Sequence, residues 1–171
     1  MLSADERAGR NRQGEAPTVK IAIAADHAGY EVKEIVARHL REQGVELIDL
    51  GTDTADVPSD YPDYAEKVGE TLRSGEASRG IVVCGSGVGV TVALNKIPGI
   101  RAACCHDTYS AHQGVEHDDM NVLCLGGRII GPEPAKEIAA AFLRAEFTAE
   151  ERHLRRLGKI KAIEKRYMKD A

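Results

Sequence analysis

The sequence predicts a three-layer α/β/α sandwich, Rossmann-like, with a five-stranded parallel sheet. Five short apolar runs alternate with stretches whose apolar residues recur at helical spacing. Short apolar strands that alternate with helices indicate a parallel sheet covered by helices on both faces. With 171 residues, the chain fits one domain of ordinary size.

Each apolar run is a predicted strand, and the periodic stretch that follows it is a predicted helix. In chain order the strands are VKIAIAAD (from Val19), VELIDL, GIVVC, IRAACC and NVLCLGG. The helices cover about residues 29–43, 64–73, 90–96, 108–116, 133–145 and 149–168. Residues 1–18 are charged and polar without periodicity, so we expect a disordered leader or tag remnant before a single domain at 19–171.

Composition narrows the class of partner. A net charge of −4 gives no electrostatic case for nucleic acid or for an anionic membrane surface. No apolar run approaches the roughly 18 residues of a membrane span, and the N-terminus has no signal-like apolar region, so we expect a cytoplasmic protein with a small-molecule ligand. Cys104, Cys105 and Cys124 lie in apolar runs and are expected to be buried free thiols. No ligand set has zinc or calcium spacing, so no metal is expected.

The chemically informative residues follow the predicted strands. Asp26-His27 follows the first strand, Cys84 ends the third, His106 follows the fourth and Arg128 the fifth. Open α/β sheets bind ligands outside the carboxyl ends of their strands. We therefore expect these residues to meet at one site.

The stretch CGSGVG joins the third strand to a helix. Its backbone N–H groups can hold a phosphate or a developing oxyanion. Gly85, Gly87 and Gly89 are not spaced as the dinucleotide fingerprint G-x-G-x-x-G, no Walker lysine follows, and Ser86 stands one place too early for a nucleophile elbow. Cys84 at the helix N-terminus is favoured as a thiolate and is a candidate general base. A functionless tight turn with a spectator cysteine remains an alternative.

Each of three further features has both a functional and a purely structural interpretation. Asp26-His27 could bind a sugar hydroxyl and a phosphate, or Asp26 could only cap a helix. His117 lies among acidic residues that favour its protonated form, which suits a general acid but also an exposed turn. Arg152 and Arg156 share a helix face suited to a phosphate, although a solvated charged helix has the same pattern.

Taken in order, these motifs resemble the type B ribose-5-phosphate isomerases. That family also contains galactose-6-phosphate isomerase subunits and several tetrose- and hexose-phosphate isomerases. The resemblance runs from about Val19 to Tyr167 and rests on DHAG, DYPDYA, CGSGVG, Asn95-Lys96, Tyr109-Ser110-Ala111, Glu116-His117 with NVL, and Arg152-His153 with Arg156.

The resemblance implies an aldose–ketose isomerase, an intramolecular oxidoreductase acting on ribose 5-phosphate and ribulose 5-phosphate through a cis-enediolate without a cofactor. It implies Cys84 as the base, Ser86 as the proton shuttle between the two oxygens and His117 as the ring-opening acid. The glycine-loop amides would stabilise the enediolate. The substrate-binding residues it implies are Asp26, His27, Tyr61, Gly85, Gly87, Gly89, Asp118, Arg128, Arg152 and Arg156.

The family works as dimers with shared sites, so we expect a homodimer, possible further pairing into a tetramer, and His117 and Arg128 reaching into the partner's site. One branch of the family uses a glutamate after the glycine loop as its base, and Val90 at that place leaves Cys84 as the candidate. Many relatives have His-Asn where this chain has His117-Asp118, which leaves the sugar's length or stereochemistry open. The role of His106 also stays open.

Two other functions compete with the isomerase. A nucleotide- or flavin-binding module would use the glycine loop with Asp107, about 20 residues past Gly85, as a ribose-binding acid. It leaves Cys84, Arg152 and Arg156 unexplained. A phosphosugar sensor would bind without turnover, and the intact cysteine disfavours it.

Overall fold

Residues 20–168 are described by the structure, a computed structural model, and the predicted leader at 1–18 lies outside them. Strands and helices alternate through most of this range. The strands are β1 (Ile21–Ala25), β2 (Leu47–Asp49), β3 (Arg79–Cys84), β4 (Ala102–Cys104) and β5 (Val122–Gly126). The helices are α1 (Tyr30–Glu42), α2 (Tyr61–Arg73), α3 (Val88–Leu94), α4 (Thr108–Asp118), α5 (Pro132–Arg144) and α6 (Glu151–Tyr167).

The five strands form one parallel sheet in the order β2-β1-β3-β5-β4. The predicted fold class is therefore confirmed. The chain runs from β1 outward to β2 and then returns to β3 on the other side of β1, so the winding reverses between β1 and β3. A crevice at the carboxyl ends of the strands is expected at such a reversal.

Two separate apolar clusters cover the two faces of the sheet. Successive strand side chains point to opposite faces. Ile81 and Val83 of β3 pack with residues of α1, α4 and α5, whereas Val82 and Cys84 pack with residues of α2 and α3. Cys84 thus ends a strand that is buried from Gly80 onward, on the face covered by α2 and α3.

Local chemistry explains where the helices depart from the prediction. Helix α2 begins at Tyr61, three residues earlier than predicted, because Pro62 lies in its first turn, where the missing N–H costs nothing. Helix α3 begins at Val88 rather than near residue 90, directly after Gly87, whose φ of 79° sets the turn. Strand β4 has three residues and lies at the sheet edge, so it is shorter than its apolar run predicts.

Candidate active site

A cleft of about 390 Å³ opens at the carboxyl ends of β1, β3 and β5. It lies where the winding of the sheet reverses, as the topology predicts. Its lining residues come from the segment after β1, the start of α2, the glycine loop and the turn after β5: Asp26, His27, Ala28, Tyr61, Cys84, Gly85, Ser86, Gly89, Arg128 and Ile129.

Cys84 lies in this cleft with its sulfur held by the loop that follows it. Its residue is 4% exposed, and its Sγ accepts a hydrogen bond from the Gly87 N–H at 3.1 Å. Gly87 has a φ of 79°, and a Cβ added there would lie 2.6 Å from the Cys104 Sγ. A side chain is excluded at Gly87 by both the backbone conformation and the space. The turn that aims this N–H at the sulfur therefore requires glycine.

Ser86 lies on the exposed side of the same loop. Its Oγ accepts a hydrogen bond from the Val88 N–H at 3.3 Å, at the start of α3. Tyr61 is 39% exposed, and its ring packs over Gly89, where an added Cβ would come within 2.8 Å of the ring. The loop and the first turn of α2 thus form two walls of the cleft.

Asp26 is buried and caps the turn that enters α1. Its Oδ1 accepts hydrogen bonds from the Ala28 and Gly29 N–H groups, each at 3.0 Å. The N-cap of α1 is Gly29, without a side-chain cap, so Asp26 holds the preceding turn rather than capping the helix, and it also lines the cleft. Both main-chain bonds fix the orientation of the carboxylate.

His27 is held by a residue that sequence reasoning missed. The Ser59 N–H donates to His27 Nδ1 at 3.1 Å, and the His27 N–H donates to Ser59 Oγ at 3.1 Å. The same Nδ1 lies 3.3 Å from the Ser59 carbonyl oxygen, so the main chain of Ser59 holds this side of the ring. Ser59 lies just before the DYPDYA motif, which is the only signal in the sequence that could have pointed to it.

Arg128 lies in the cleft of its own chain. Its N–H donates to the Gly85 carbonyl at 3.0 Å, and its Cδ and Nη1 lie 3.6 Å from where a Gly85 Cβ would be. That Arg128 also reaches into a partner's site stays a prediction. The turn after β5 folds back onto the glycine loop and brings the guanidinium with it.

Five predicted site residues are not among the lining residues of this cleft: Gly87, which adjoins it through its bond to Cys84, and His117, Asp118, Arg152 and Arg156, which belong to other parts of the fold. His117 is in the last turn of α4, with Nδ1 2.7 Å from Gln113 Nε2. Asp118 lines a different cavity of about 360 Å³ beside β4 and α6. Arg152 and Arg156 are exposed on α6, and Arg152 Nε donates to Glu150 at 2.8 Å.

All four cysteines are free thiols, but they differ in their surroundings. Cys105 and Cys124 are buried as predicted, and burial raises the pKa of Cys105 to about 11 and that of Cys124 further. Cys104 is only half-buried, with its Sγ 3.6 Å from the Ser86 carbonyl. The prediction of a core position for Cys104 is wrong because β4 ends at the sheet edge, beside the glycine loop.

Within residues 20–168, no group of three or more histidine, cysteine, aspartate or glutamate side chains could hold a metal ion. Among the helices of the same residues, none combines the length and the apolar character that a bilayer crossing needs.

A model of the ribose/galactose isomerase family matches residues 21–160. The chain belongs to this family. It is 45% identical to ribose-5-phosphate isomerase B of Escherichia coli over 147 residues, which are 86% of this chain and 97% of that protein. It is 42% identical over 129 residues to D-erythrulose-4-phosphate isomerase of Pectobacterium atrosepticum, covering 75% of this chain and 85% of that protein.

Solved structures of the ribose/galactose isomerase family agree in fold. Ribose-5-phosphate isomerase B of Clostridium thermocellum superposes with a TM-score of 0.84 at 48% identity, covering 87% of this chain and 99% of that one. The Mycoplasma genitalium enzyme with bound ribulose-5-phosphate has a TM-score of 0.81 at 37% identity, covering 90% and 99%. The predicted family and enzyme class are thereby confirmed.

Proposed function

We propose that the protein interconverts ribose 5-phosphate and ribulose 5-phosphate with Cys84 as the base. The observation that carries the proposal is the Cys84 sulfur in the cleft, with the Gly87 N–H 3.1 Å away. A sulfur that accepts this hydrogen bond is stabilised as the thiolate, which is the form that can take a proton. Relatives of the chain named as ribose-5-phosphate isomerase B support the choice of substrate.

Each proton that moves in the proposed reaction has a defined destination. In ring opening, His117 of a second copy donates a proton to the ring oxygen as the bond from that oxygen to C1 breaks, and the C1 hydroxyl releases its proton to water to become the aldehyde. The Cys84 thiolate then takes the proton from C2 of the open-chain aldose. The electrons of the broken C–H bond form the C1–C2 double bond, and O1 becomes the enediolate oxygen. The hydroxyl of Ser86 moves the proton of O2 to O1, and the Cys84 thiol then returns its proton to C1, which leaves the ketose.

Electrostatics accounts for the stabilised intermediate. Main-chain N–H groups of the glycine loop would stabilise the charge on O1, and because the loop is fixed they would need no reorganisation when that charge develops. Asp26 and Tyr61 would contact the sugar, and His27 and Arg128 stand where they could hold the phosphate or a hydroxyl. The cleft supplies these groups from one chain.

The acid and the remaining arginines come from a second copy in this proposal. Exposed apolar side chains support a dimer: Ile129 (59% exposed) lines the cleft, and Val88 (58%), Val92 (57%) and Tyr109 (66%) are exposed on α3 and α4. A second copy packed on them would exclude water from the cleft and bring its His117, Arg152 and Arg156 toward it. Two-fold pairing makes both sites complete at once.

A second candidate is the isomerisation of another sugar phosphate. Asp118 in place of asparagine and the relative named as a D-erythrulose-4-phosphate isomerase favour it. The nucleotide-binding alternative gains nothing from the geometry, because the sulfur of Cys84 takes the Gly87 N–H that a pyrophosphate would need.

The test is a panel of phosphorylated aldoses and ketoses of four to six carbons, ranked by kcat/KM. We expect ribose 5-phosphate to rank first. A tetrose phosphate or a 6-phosphohexose ranked clearly above it would move the assignment to the second candidate. A thermal shift with NAD or flavin and no turnover of any sugar phosphate would contradict both.

A further inference from the structure

His106 supplies a hydrogen-bond acceptor where strand β4 leaves the sheet. The last register pair of the two strands is Cys104 with Cys124, and the Cys105 N–H still donates to the Cys124 carbonyl at 3.2 Å. The next free donor of β5 is the Gly126 N–H, which donates to His106 Nε2 at 3.0 Å. The imidazole thus extends the pairing of β5 beyond the end of its neighbour strand.

This hydrogen bond fixes the chemical state of the ring. A main-chain N–H can only donate, so Nε2 must carry a lone pair. His106 is therefore neutral, with its proton on Nδ1, whenever the bond to Gly126 is formed.

Gly126 begins the turn that connects β5 to the cleft. Two N–H groups of that turn hold the strand that carries the cysteine: Gly127 donates to the Cys84 carbonyl at 2.8 Å and Arg128 donates to the Gly85 carbonyl at 3.0 Å. A Cβ on Gly126 would lie 2.7 Å from the Ser86 carbonyl oxygen. The turn after β5 and the glycine loop are in direct contact, so a shift of Gly126 changes the position of the turn, of the glycine loop, or of both.

His106 Nε2 is also linked to the glycine loop through the sulfur of Cys104. The Cys104 Sγ lies 3.6 Å from His106 Nε2 and 3.6 Å from the Ser86 carbonyl oxygen. His106 itself is half-buried and is not among the lining residues of the cleft. It therefore lies behind the residues that would contact the substrate.

We infer that His106 is a positioning residue of the isomerase site, which fixes the turn at Gly126 and thereby the placement of Arg128 against Cys84 and the glycine loop. The inference rests on the proposed function for its kinetic consequence. Loss of the acceptor leaves a buried N–H unpaired and frees the turn. A misplacement of reacting groups by about 1 Å costs on the order of 100-fold in rate.

The test compares His106→Leu, which removes the acceptor at similar size, with His106→Gln, whose Oε1 can accept from the Gly126 N–H. We expect kcat/KM to fall by roughly 10- to 100-fold in the leucine variant, with part of the loss in KM because Arg128 moves. The glutamine variant should recover most of it. The matched control is His39→Leu on α1, whose ring bonds Gln43 away from the cleft and whose loss should leave both constants unchanged.

A readout independent of activity is the ¹⁵N spectrum of the wild-type histidine rings near neutral pH. We expect His106 as the Nδ1–H tautomer, and a shift of the Gly126 amide resonance in the leucine variant but not in the glutamine variant. A protonated Nε2, equal losses in both variants, or wild-type kinetics in a folded leucine variant would each overturn the inference. The expected spectra in a protein with no isomerase activity would instead refute the proposed function, and the hydrogen bond from Gly126 to His106 would still stand.

Discussion

The imidazole rings of His117 and His153 are stacked, with centroids 4.2 Å apart and planes 29° from parallel. His153 is fully buried, and its Nδ1 lies 2.7 Å from Thr148 Oγ1. Since the Thr148 hydroxyl donates its hydrogen to the Glu116 carbonyl, Nδ1 must donate to Thr148. His153 Nε2 is then a bare acceptor with no partner among the described residues. The candidate acid His117 is therefore stacked on His153, whose neutral form is favoured by burial.

The stability of the fold should fall as the pH drops below the ordinary histidine range. Burial lowers the pKa of His153 from its usual 6.5, and the neighbouring His117 lowers it further. Near pH 6.5 the histidine of the unfolded chain binds a proton, whereas His153 of the folded chain stays neutral. The contribution of neutral His153 to the free energy of unfolding is therefore present above that pH and is lost below it. Urea unfolding between pH 7.5 and 5 measures it. The control His153→Phe keeps a ring for the stack and should flatten the dependence; an unchanged slope would contradict the assignment.

Replacement of Cys84 by alanine should lower kcat by about 10²–10⁴-fold with little change in KM, because the thiolate acts on the transition state more than on binding. Cys84→Ser keeps the shape of the side chain and tests whether the thiol itself is needed. Both variants are compared with the wild type by steady-state kinetics after a check of the melting temperature. Near-normal turnover of a pure alanine variant would refute the proposed base.

Co-expression of Cys84→Ala with His117→Ala should restore activity that each homodimer lacks. In a mixed dimer of a shared-site enzyme, one site receives both wild-type residues, so random pairing returns about a quarter of the wild-type activity. Kinetic assay of the co-expressed mixture measures this quarter, and the tagged and purified mixed dimer, in which one site of two is complete, should show about half of the wild-type activity. Activity no higher than that of the separate variants would place His117 outside the partner's site.

Arg128 provides the matched control for that experiment. Because its guanidinium lies in the cleft that contains Cys84 of the same chain, Cys84→Ala mixed with Arg128→Ala should not restore activity. Restoration would instead support the expectation that Arg128 serves the partner.

Gly87→Ala should destabilise the fold more than alanine at a similar backbone angle elsewhere. Gly87 and Gly44 have φ of 79° and 80°, but an added Cβ meets the Cys104 sulfur at Gly87 and nothing within 4 Å at Gly44. The left-handed conformation alone costs alanine about 1–2 kcal/mol, so Gly44→Ala measures that part and the excess at Gly87 measures the steric clash. Urea denaturation of both variants gives the comparison, and equal losses would contradict the close approach.

Local patterns predicted the fold and the edge of the sheet at which the cleft opens. Apolar runs mark buried parallel strands because every side chain of such a strand is covered, and the strand ends then locate the cleft with Asp26, Cys84 and Arg128. Pairings between distant segments were not predictable. The bond from Ser59 to His27 spans 32 residues, and that from Gly126 to His106 spans 20, and neither leaves a periodic trace in the sequence.

The hydrogen bond from the Gly87 N–H to the Cys84 sulfur also bears on the design of a covalent inhibitor. Burial raises the pKa of each of the other three thiols, so they resist conversion into the form that attacks electrophiles. Cys84 differs from them because its sulfur accepts the Gly87 N–H and lies in a cleft of about 390 Å³. A compact haloacetamide or acrylamide fitted to the cleft is thus a rational starting point for a covalent inhibitor that modifies one cysteine among four.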